Sequence, residues 1–165
     1  GRPEAPLEVV SPFDVQRYLG RWYEIASFPQ SFQKGCIGTT AEYALLSPTK
    51  VSVTNRCFDE SFEGRVRVAH GTARIPDLNE PTKLLVSFFW PFSGKYWVIE
   101  LGQDYEYAVV GHPNRDYLWI LSRTPFMDEK LYTEIVERQA AKGFDMSRLV
   151  RTPQQEEPEA YWQEQ

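Results

Sequence analysis

The most reactive side chains in this 165-residue chain belong to two histidines and two cysteines. His70 lies in a run typical of a β-strand and His112 precedes a proline at a turn, so the pair lacks a metal-ligand spacing such as His-x-x-x-His. Cys36 and Cys57 allow one intramolecular pairing. None of these residues forms a nucleophile with its acid or base, and we expect neither a metal nor a cofactor. The sequence favours binding over catalysis.

The two cysteines fall at the ends of adjacent predicted strands. Antiparallel pairing about the turn at 47–50 brings Cys36 and Cys57 together if a bulge absorbs a small register offset. An oxidising compartment would permit a disulfide, which would contribute about 3 kcal/mol to stability. Two buried free thiols are the alternative.

The elements that position these residues are mostly β-strands. Short connections with turn residues separate the strand-like runs and predict an up-and-down antiparallel sheet, and such a sheet can remove its exposed edges by closing into a barrel. A sandwich of the same strands is the competing architecture. The eight runs span 21–29, 37–46, 50–57, 65–75, 83–90, 95–101, 105–111 and 117–123.

One clear helix follows the strands. Asp128 is a good N-cap, and Lys142 with Gly143 suits the C-terminal end. An apolar stripe at helical spacing should pack on the outside of the sheet, and its members are Leu131, Tyr132, Ile135, Val136 and Gln139. A short strand is predicted within 148–151. We expect 1–12 to be extended and 153–165 to be a disordered acidic tail.

Composition limits the partners. The net charge is −5, and no basic cluster is dense enough to neutralise phosphates, which argues against nucleic acid. No run reaches the roughly 18 apolar residues of a membrane-spanning helix.

Two short motifs carry a family resemblance. The first is Leu-Gly-Arg-Trp-Tyr-Glu-Ile-Ala at 19–26, and the second is Asn-Arg-Asp-Tyr-Leu-Trp-Ile-Leu-Ser-Arg at 114–123. With them the chain resembles the lipocalins, and within that family the bacterial outer-membrane members, with apolipoprotein D and the plant temperature-induced members also similar. The resemblance implies an all-β fold: an eight-stranded up-and-down antiparallel barrel over 13–152, with the C-terminal helix packed outside.

The resemblance also implies a closed base and a ligand cavity. Gly20, Trp22 and Arg123 would form the base, with the guanidinium stacked on the indole. Side chains alternate faces along a strand, and this parity predicts the cavity lining as Ala26, Phe28, Thr39, Ala41, Tyr43, Val53, Asn55, Gly71, Ala73, Val86, Phe88, Tyr96, Val98, Tyr107, Val109, Tyr117 and Trp119. A barrel filled by its own side chains is the alternative.

The expected ligand is small and hydrophobic: a long-chain fatty acid or a lysophospholipid. The polar side chains expected inside would hold its carboxylate or phosphate, or satisfy one another; they are Tyr43, Tyr96, Tyr107, Asn55 and Glu100. A lipocalin-type enzyme that uses Cys57 as a cavity thiol is one alternative function.

A second alternative is an interaction module that acts through aromatic residues at the mouth. These residues would contact a membrane surface or a second copy in a homodimer, or would fold over the mouth as a lid; they are Phe28, Phe32, Phe58, Phe62, Phe89, Trp90 and Phe92. The resemblance further implies a bacterial periplasmic location, tethered to the outer membrane by a lipid anchor upstream of Gly1.

Overall fold

The computed structural model describes residues 5–88 and 93–156, in which nine strands and two α-helices are present. Single 3-10 turns occupy Ser31–Gln33 and Met146–Arg148. In chain order the elements are α1 (Val15–Tyr18), β1 (Gly20–Ser27), β2 (Cys36–Ser47), β3 (Lys50–Asp59), β4 (Val66–Arg74), β5 (Lys83–Ser87), β6 (Ser93–Leu101), β7 (Tyr107–Gly111), β8 (Leu118–Ser122), α2 (Glu129–Ala141) and β9 (Val150–Arg151).

The sheet closes on itself. Strands β2 to β8 pair with their sequence neighbours, and β1 pairs with both β8 and β2, all antiparallel. The predicted eight-stranded up-and-down barrel with an outer helix is therefore confirmed. The observed strands match the predicted runs within a few residues, except that β5 ends at Ser87, before the segment 89–92 that lies outside the described residues.

Two β-bulges change which residues face the interior. The pairing of β1 with β8 shifts between Glu24 and Ala26, and the pairing of β6 with β7 shifts between Val98 and Glu100. A bulge places two residues opposite one, so the inward and outward faces exchange beyond it. Simple alternation along β1 and β6 therefore fails at these points.

Two apolar layers result, one inside the barrel and one beneath α2. The inner layer includes Trp22, Tyr43 and Val98, whereas the outer layer includes Ile120 and Ile135. Helix α2 begins where the Asp128 carboxylate accepts a hydrogen bond from the backbone N–H of Leu131 at 3.1 Å. Its predicted stripe faces the barrel, and Ile135 and Gln139 are fully buried. The helix covers one outer side of the barrel.

The Glu100 carboxylate, on the outer surface of the barrel, holds helix α2 in place through hydrogen bonds and ion pairs. Glu100 accepts hydrogen bonds from the Arg138 guanidinium at 2.7 Å and from the Tyr107 hydroxyl at 2.8 Å, and the Lys142 amine lies 3.5 Å away. Burial raises the pKa of Glu100, but these donors and charges outweigh it and hold the pKa below the usual range. Glu100 and Tyr107, which we expected in the cavity, thus belong to the interface between barrel and helix.

Aromatic and guanidinium groups close one end of the barrel, its base. Trp22 is fully buried, and its indole N–H donates to the carbonyl of Tyr18 at 2.8 Å. The Arg123 guanidinium lies 3.8 Å from the Trp22 ring centroid and donates to the carbonyls of Arg17 and Arg21. Gly20 has φ +98°, and a Cβ there would lie 3.4 Å from this guanidinium. The three residues predicted for the base meet there.

Candidate functional site: a cavity at the open end of the barrel

The end of the barrel opposite this base contains a cavity of about 290 Å³. Ten residues predicted for the lining do line it: Thr39, Ala41, Tyr43, Val53, Asn55, Val86, Phe88, Tyr96, Tyr117 and Trp119. The other lining residues are Glu24, Phe32, Gln33, Thr40, Gly94, Lys95, His112, Asn114 and Leu121. The barrel is therefore not filled by its own side chains.

Four predicted lining residues face outward, which corrects the sequence-based assignment. Ala26 and Phe28 follow the bulge in β1 and lie in the outer layer, where the Phe28 ring packs against Phe144. Val109 is paired with Glu100, which follows the bulge in β6, and it faces the helix. Tyr107 lies on the same outer face and reaches the Glu100 carboxylate. The extra residue in the β1 bulge is the physical reason for the errors at Ala26 and Phe28. Strand β7 has no bulge, and its regular pairing with β8 sets Val109 opposite Ile120 of the outer layer, so the face predicted for β7 was the wrong one.

Three further predicted residues are absent from the lining for reasons of depth or space. Val98 and Ala73 face inward but belong to the buried core near the base. Gly71 leaves no room, because a Cβ there would lie 2.5 Å from the Ser87 carbonyl oxygen and 2.8 Å from Phe88. The close approach of β5 fills the space that the small residue was expected to open.

Three tyrosines form the floor of the cavity. The Tyr96 hydroxyl is hydrogen-bonded to that of Tyr43 at 2.8 Å and to that of Tyr18. Burial raises the pKa of Tyr43 to about 12 and that of Tyr96 well above its usual range, so both are neutral hydroxyls at pH 7. These groups satisfy one another, and the expectation that Tyr43 and Tyr96 hold an anionic headgroup is not supported by their geometry.

A buried carboxyl lies on the wall above this floor. Glu24 is 8% exposed, and its carboxylate accepts a hydrogen bond from the Thr152 hydroxyl at 2.6 Å. Burial raises the pKa of Glu24, and hydrogen bonds from Thr152 and Ser27 oppose the rise only in part. No ion pair to Glu24 is present among residues 5–88 and 93–156.

The segment after β9 completes the wall where β1 and β2 separate. Their pairing ends at Tyr23 and Thr40, and beyond it the Pro153 carbonyl accepts from the backbone N–H of Gly38 at 2.8 Å. The Gln154 amide donates to the carbonyls of Glu24 at 2.8 Å and of Thr39 at 2.9 Å. The expected disordered tail therefore does not begin at residue 153. Residues 157–165 lie outside the described part of the chain.

The rim carries the cationic and imidazole groups of the site. Lys95 is exposed, whereas His112 is half-buried and its Nδ1 accepts from the backbone N–H of Asn114 at 3.0 Å. Burial lowers the pKa of His112 and the charge of Lys95 lowers it further, against an opposing effect of Asp116. At neutral pH the ring is therefore uncharged, with its proton on Nε2.

A disulfide joins strands β2 and β3 at the mouth of the barrel. Cys36 and Cys57 form a disulfide, and the register of β2 and β3 shifts between Ile37 and Thr40 beside it. Because its sulfur is bonded, Cys57 is unable to serve as the thiol of an enzyme.

The aromatic mouth is smaller than expected within the described residues. Phe32 is 41% exposed and lines the cavity, whereas Phe58 is buried and packs against Phe62 at 5.5 Å between ring centroids. Phe28 is fully buried. Phe89, Trp90 and Phe92 lie outside the described residues.

Sequence reasoning named Phe32 at the mouth but missed Gln33, His112 and Asn114, because alternation applies only to strands. Phe32, Gln33, His112 and Asn114 are on the connections β1–β2 and β7–β8. Both connections lie at the same end as the first residue of β2, which identifies them as candidate rim segments once the antiparallel order is known. Which side chains turn inward depends on loop geometry that the sequence pattern does not encode.

Neither a metal-binding cluster nor a membrane-spanning helix is present in the described ranges. They contain no group of three or more His, Cys, Asp or Glu side chains able to hold a metal ion. No helix within 5–88 and 93–156 has the length and apolar character needed to cross a membrane.

Comparisons with known proteins agree with the fold and the motifs. A lipocalin-like domain matches residues 13–154. Temperature-induced lipocalin-1 of Arabidopsis thaliana is 40% identical over 161 residues, which cover 92% of this chain and 85% of the plant protein. Outer membrane lipoprotein Blc of Vibrio cholerae is 40% identical over 156 residues, with 94% and 90% covered. Apolipoprotein D of Bos taurus is 35% identical over 168 residues, with 96% and 85% covered.

Solved structures share the architecture. Insecticyanin from the tobacco hornworm Manduca sexta aligns with a TM-score of 0.68 at 24% identity, covering 96% of this chain and 89% of that chain. Lobster apocrustacyanin A1 aligns with a TM-score of 0.68 at 18% identity, covering 86% and 79%. At these identities the likeness is one of fold. With the family model and the relatives at 40% identity, it follows that this chain belongs to the lipocalin-like family.

Proposed function

We propose that this protein binds one single-chain anionic lipid, a long-chain fatty acid or a lysophospholipid, and carries or stores it in a bacterial cell envelope. The acyl chain occupies the cavity and the anionic headgroup lies at the rim. The observation that carries the proposal is the cavity of about 290 Å³ at the open end of the barrel, with an apolar wall and a cationic group at its mouth. Barrels of the lipocalin type hold one small ligand.

The size and lining of the cavity favour a single acyl chain. Ligand pockets usually measure about 300–1,000 Å³, so this cavity is at the small end and suits one flexible chain better than a two-chain lipid. Val53, Val86, Phe88 and Trp119 provide apolar wall. Burial of the chain contributes about 25 cal/mol per Å², less the free energy lost when the chain and the mouth become ordered.

The rim favours an anionic headgroup. Lys95 supplies a positive charge, and neutral His112 and the Asn114 side chain supply hydrogen-bond donors at the same edge of the cavity. A carboxylate or phosphate beside Lys95 would weaken the repulsion that lowers the pKa of His112. Bound anion and protonated His112 therefore stabilise each other.

The cellular location is supported by two observations. The Cys36–Cys57 disulfide is typical of an oxidising compartment such as the periplasm. Relatives at about 40% identity include proteins named outer membrane lipoproteins, although plant and viral lipocalins are similarly related. We infer an extracytoplasmic role close to the outer membrane.

The test is a titration of delipidated protein with saturated fatty acids and lysophospholipids of increasing chain length, followed by tryptophan fluorescence. Trp119 in the cavity wall should report binding, and the signal should be lost in Trp119→Phe. We expect saturable one-to-one binding that tightens with chain length up to the depth of the cavity. Absence of binding to every lipid would refute the proposal.

A matched pair of variants tests whether the acyl chain of the ligand lies inside the barrel. Ala41 lines the cavity, whereas Ala44 on the same strand is exposed on the outer surface. Ala41→Phe should weaken binding at least tenfold because the ring occupies the chain's space, and Ala44→Phe should bind like the wild type. Equal affinities for the two variants, both with a native melting transition, would place the ligand elsewhere.

A second matched pair tests the headgroup. Lys95→Gln should weaken fatty-acid binding about fivefold at low salt, as expected for one partly exposed charge-assisted contact, and should leave a fatty alcohol of equal length unaffected. Lys130→Gln on the exposed side of α2 is the control. Equal losses for acid and alcohol would remove Lys95 from the headgroup site.

A further inference from the structure

Two tyrosines meet across the interior of the barrel. Tyr43 belongs to β2 and Tyr96 to β6, and these strands are four apart in either direction round the closed sheet, so they lie opposite each other. The two hydroxyls are hydrogen-bonded at 2.8 Å, and the Tyr96 hydroxyl is also hydrogen-bonded to that of Tyr18 at the end of α1. The three hydroxyls thus form one chain inside the barrel, at the floor of the cavity.

This chain of hydroxyls has one hydrogen more than it uses. Each tyrosine hydroxyl carries one hydrogen to donate, and the two hydrogen bonds between the three hydroxyls take up two of these hydrogens. No other hydrogen bond to these hydroxyls is present within 5–88 and 93–156. Burial raises the pKa of Tyr18, as it does those of Tyr43 and Tyr96, so all three keep their hydrogens at pH 7. One donor in the interior therefore lacks an acceptor, which is uncommon in native proteins.

The surroundings direct this spare hydrogen toward the cavity. Tyr43 and Tyr96 line the cavity, and with Tyr18 they also line a pocket of about 20 Å³ beneath it, whose exposed surface is entirely apolar. A hydrogen that turns downward would therefore meet no acceptor. The positive charge of Arg123 at the base acts on Tyr18 and Tyr43, and it favours hydroxyl hydrogens that point away from the base. The spare donor consequently belongs to Tyr43 or Tyr96, the two hydroxyl-bearing residues of the floor that face the cavity.

The chemistry of the floor selects an uncharged oxygen. A saturated acyl end would cover the hydroxyls and leave the spare hydrogen without a partner, which loses a hydrogen bond. A carboxylate at the floor would be a buried charge with a single hydrogen bond, which is unfavourable, and the positively charged lining residue, Lys95, lies at the rim. A ketone, aldehyde, ester or epoxide oxygen accepts one hydrogen bond and carries no charge. Such an oxygen completes the floor.

We propose that Tyr43 and Tyr96 form a hydrogen-bond donor site for an uncharged oxygen at the buried end of the bound chain. The ligand class is a fatty acid or lysophospholipid whose acyl chain is oxygenated near its far end. The site rests on the proposed function, because the far end of the chain reaches the floor only if the headgroup lies at the rim.

The experiment compares two fatty acids of equal chain length and nearly equal shape. One carries a ketone at the penultimate carbon, and the other carries a methyl branch there, which fills similar space but accepts no hydrogen bond. Their chain length is the one that binds most tightly in the saturated series. Both are titrated by calorimetry into wild type, the double variant Tyr43→Phe/Tyr96→Phe, and Tyr18→Phe, and the ratio of the two dissociation constants is taken for each protein.

The count of hydrogens separates the two variants. The double variant loses both hydroxyls that line the cavity. In Tyr18→Phe, two hydroxyls share one hydrogen bond, so one spare hydrogen remains at the floor. Because each ratio is taken within a single protein, a general change in stability or in cavity shape affects both probes alike.

We expect the preference for the ketone over the branched chain to fall about fivefold in the double variant, the usual loss for one neutral hydrogen bond. In Tyr18→Phe the preference should stay within about twofold of wild type. An unchanged preference in the double variant, or an equal fall in Tyr18→Phe, would overturn the site.

An infrared measurement tests the same site without a variant. The carbonyl stretching band of the ketone bound to wild type should lie at a lower frequency than in a hydrocarbon solvent, because the carbonyl accepts a hydrogen bond. A band at the hydrocarbon frequency would contradict the site. If neither probe nor any saturated fatty acid binds the wild type, the proposed function itself fails, which is a distinguishable result.

Discussion

Two carboxyls have opposite environments: Glu100 is half-buried on the outer side of the barrel wall, and Glu24 is buried on the inner side. Glu100 lies outside, beneath α2, and is surrounded by Arg138, Lys142 and the Tyr107 hydroxyl. Glu24 lies inside and has hydroxyl partners but no ion pair in the described residues. Simple alternation along β1 and β6 places both carboxyls in the interior, yet only Glu24 lies there.

Ionisation of one carboxyl stabilises the fold, whereas ionisation of the other destabilises it. The ion pairs of Glu100 favour its charged form and lower its pKa, so ionisation adds to stability. Burial of Glu24 without a cation raises its pKa, so ionisation costs stability. Proteins retain such costs mainly where function requires them. The comparison therefore gives Glu100 a structural role and leaves Glu24, which lines the cavity, as a candidate for contact with a ligand.

The largest loss of stability is expected when the hydrogen bonds and ion pairs around Glu100 are broken. Glu100→Gln should lower the free energy of unfolding by about 2 kcal/mol, less than for a fully buried pair because Arg138 and Lys142 are partly exposed. For a domain of this size that corresponds to a melting temperature lower by about 4–8 °C. Glu137→Gln, exposed on the same helix, is the control and should melt like wild type. Equal melting of both variants would contradict the structural role.

The next effect concerns the segment that closes the wall beside Glu24. Truncation after Thr152 removes the hydrogen bonds of Pro153 and Gln154 and should cost about 1–2 kcal/mol in chemical denaturation. Truncation after Glu156 keeps them and should leave stability unchanged. If the shorter chain is as stable as the longer one, these contacts do not hold the wall.

A smaller effect on stability, of opposite sign, is expected from the carboxyl of Glu24 inside the barrel. Glu24→Gln preserves the shape and the hydrogen bonding with Thr152 but removes the buried charge. It should raise the free energy of unfolding at pH 8 by up to about 1 kcal/mol, whereas Glu100→Gln lowers it. A destabilised Glu24→Gln variant would mean that Glu24 has a stabilising charged partner, and the contrast between the two carboxyls would fail.

The pH dependence sharpens the contrast further. Since folding lowers the pKa of Glu100, its stabilisation is present above the usual glutamate pKa of about 4.3 and is lost as the pH falls through the lower, folded value. Since folding raises the pKa of Glu24, its stability cost appears as the pH rises through the higher, folded value. The free energy of unfolding of each glutamine variant should therefore be compared with that of wild type from pH 3 to 8. At pH 8 Glu100→Gln should be less stable than wild type and Glu24→Gln more stable, and both differences should become smaller as the pH falls. Curves of the same sign would contradict both assignments.

The sequence by itself determined the fold to a large extent. Alternating aromatic and β-branched runs, short turns and the Asp128 cap gave the eight strands and the outer helix, because these are local preferences. The motifs around Trp22 and Arg123 identified the base, and the strand pattern brought Cys36 and Cys57 together. On β3 and β8, parity correctly named lining residues such as Val53 and Trp119. On β2 it named Ala41 but missed Thr40, which lies at the register shift between Ile37 and Thr40.

Tertiary structure decided which side of the wall the remaining residues occupy. The bulges at 24–26 and 98–100 each add one residue to a strand, and this reversed Phe28 and Glu100 although every local preference stayed the same. The outward face of Tyr107 and Val109 follows from the pairing of β7 with β8. The contacts of His112 and Gln154 depend on loops and a terminal segment that meet strands distant in sequence. Local residue patterns specify which segments become strands, but a register shift has no strong local signature, so only the closed barrel fixes what faces the cavity.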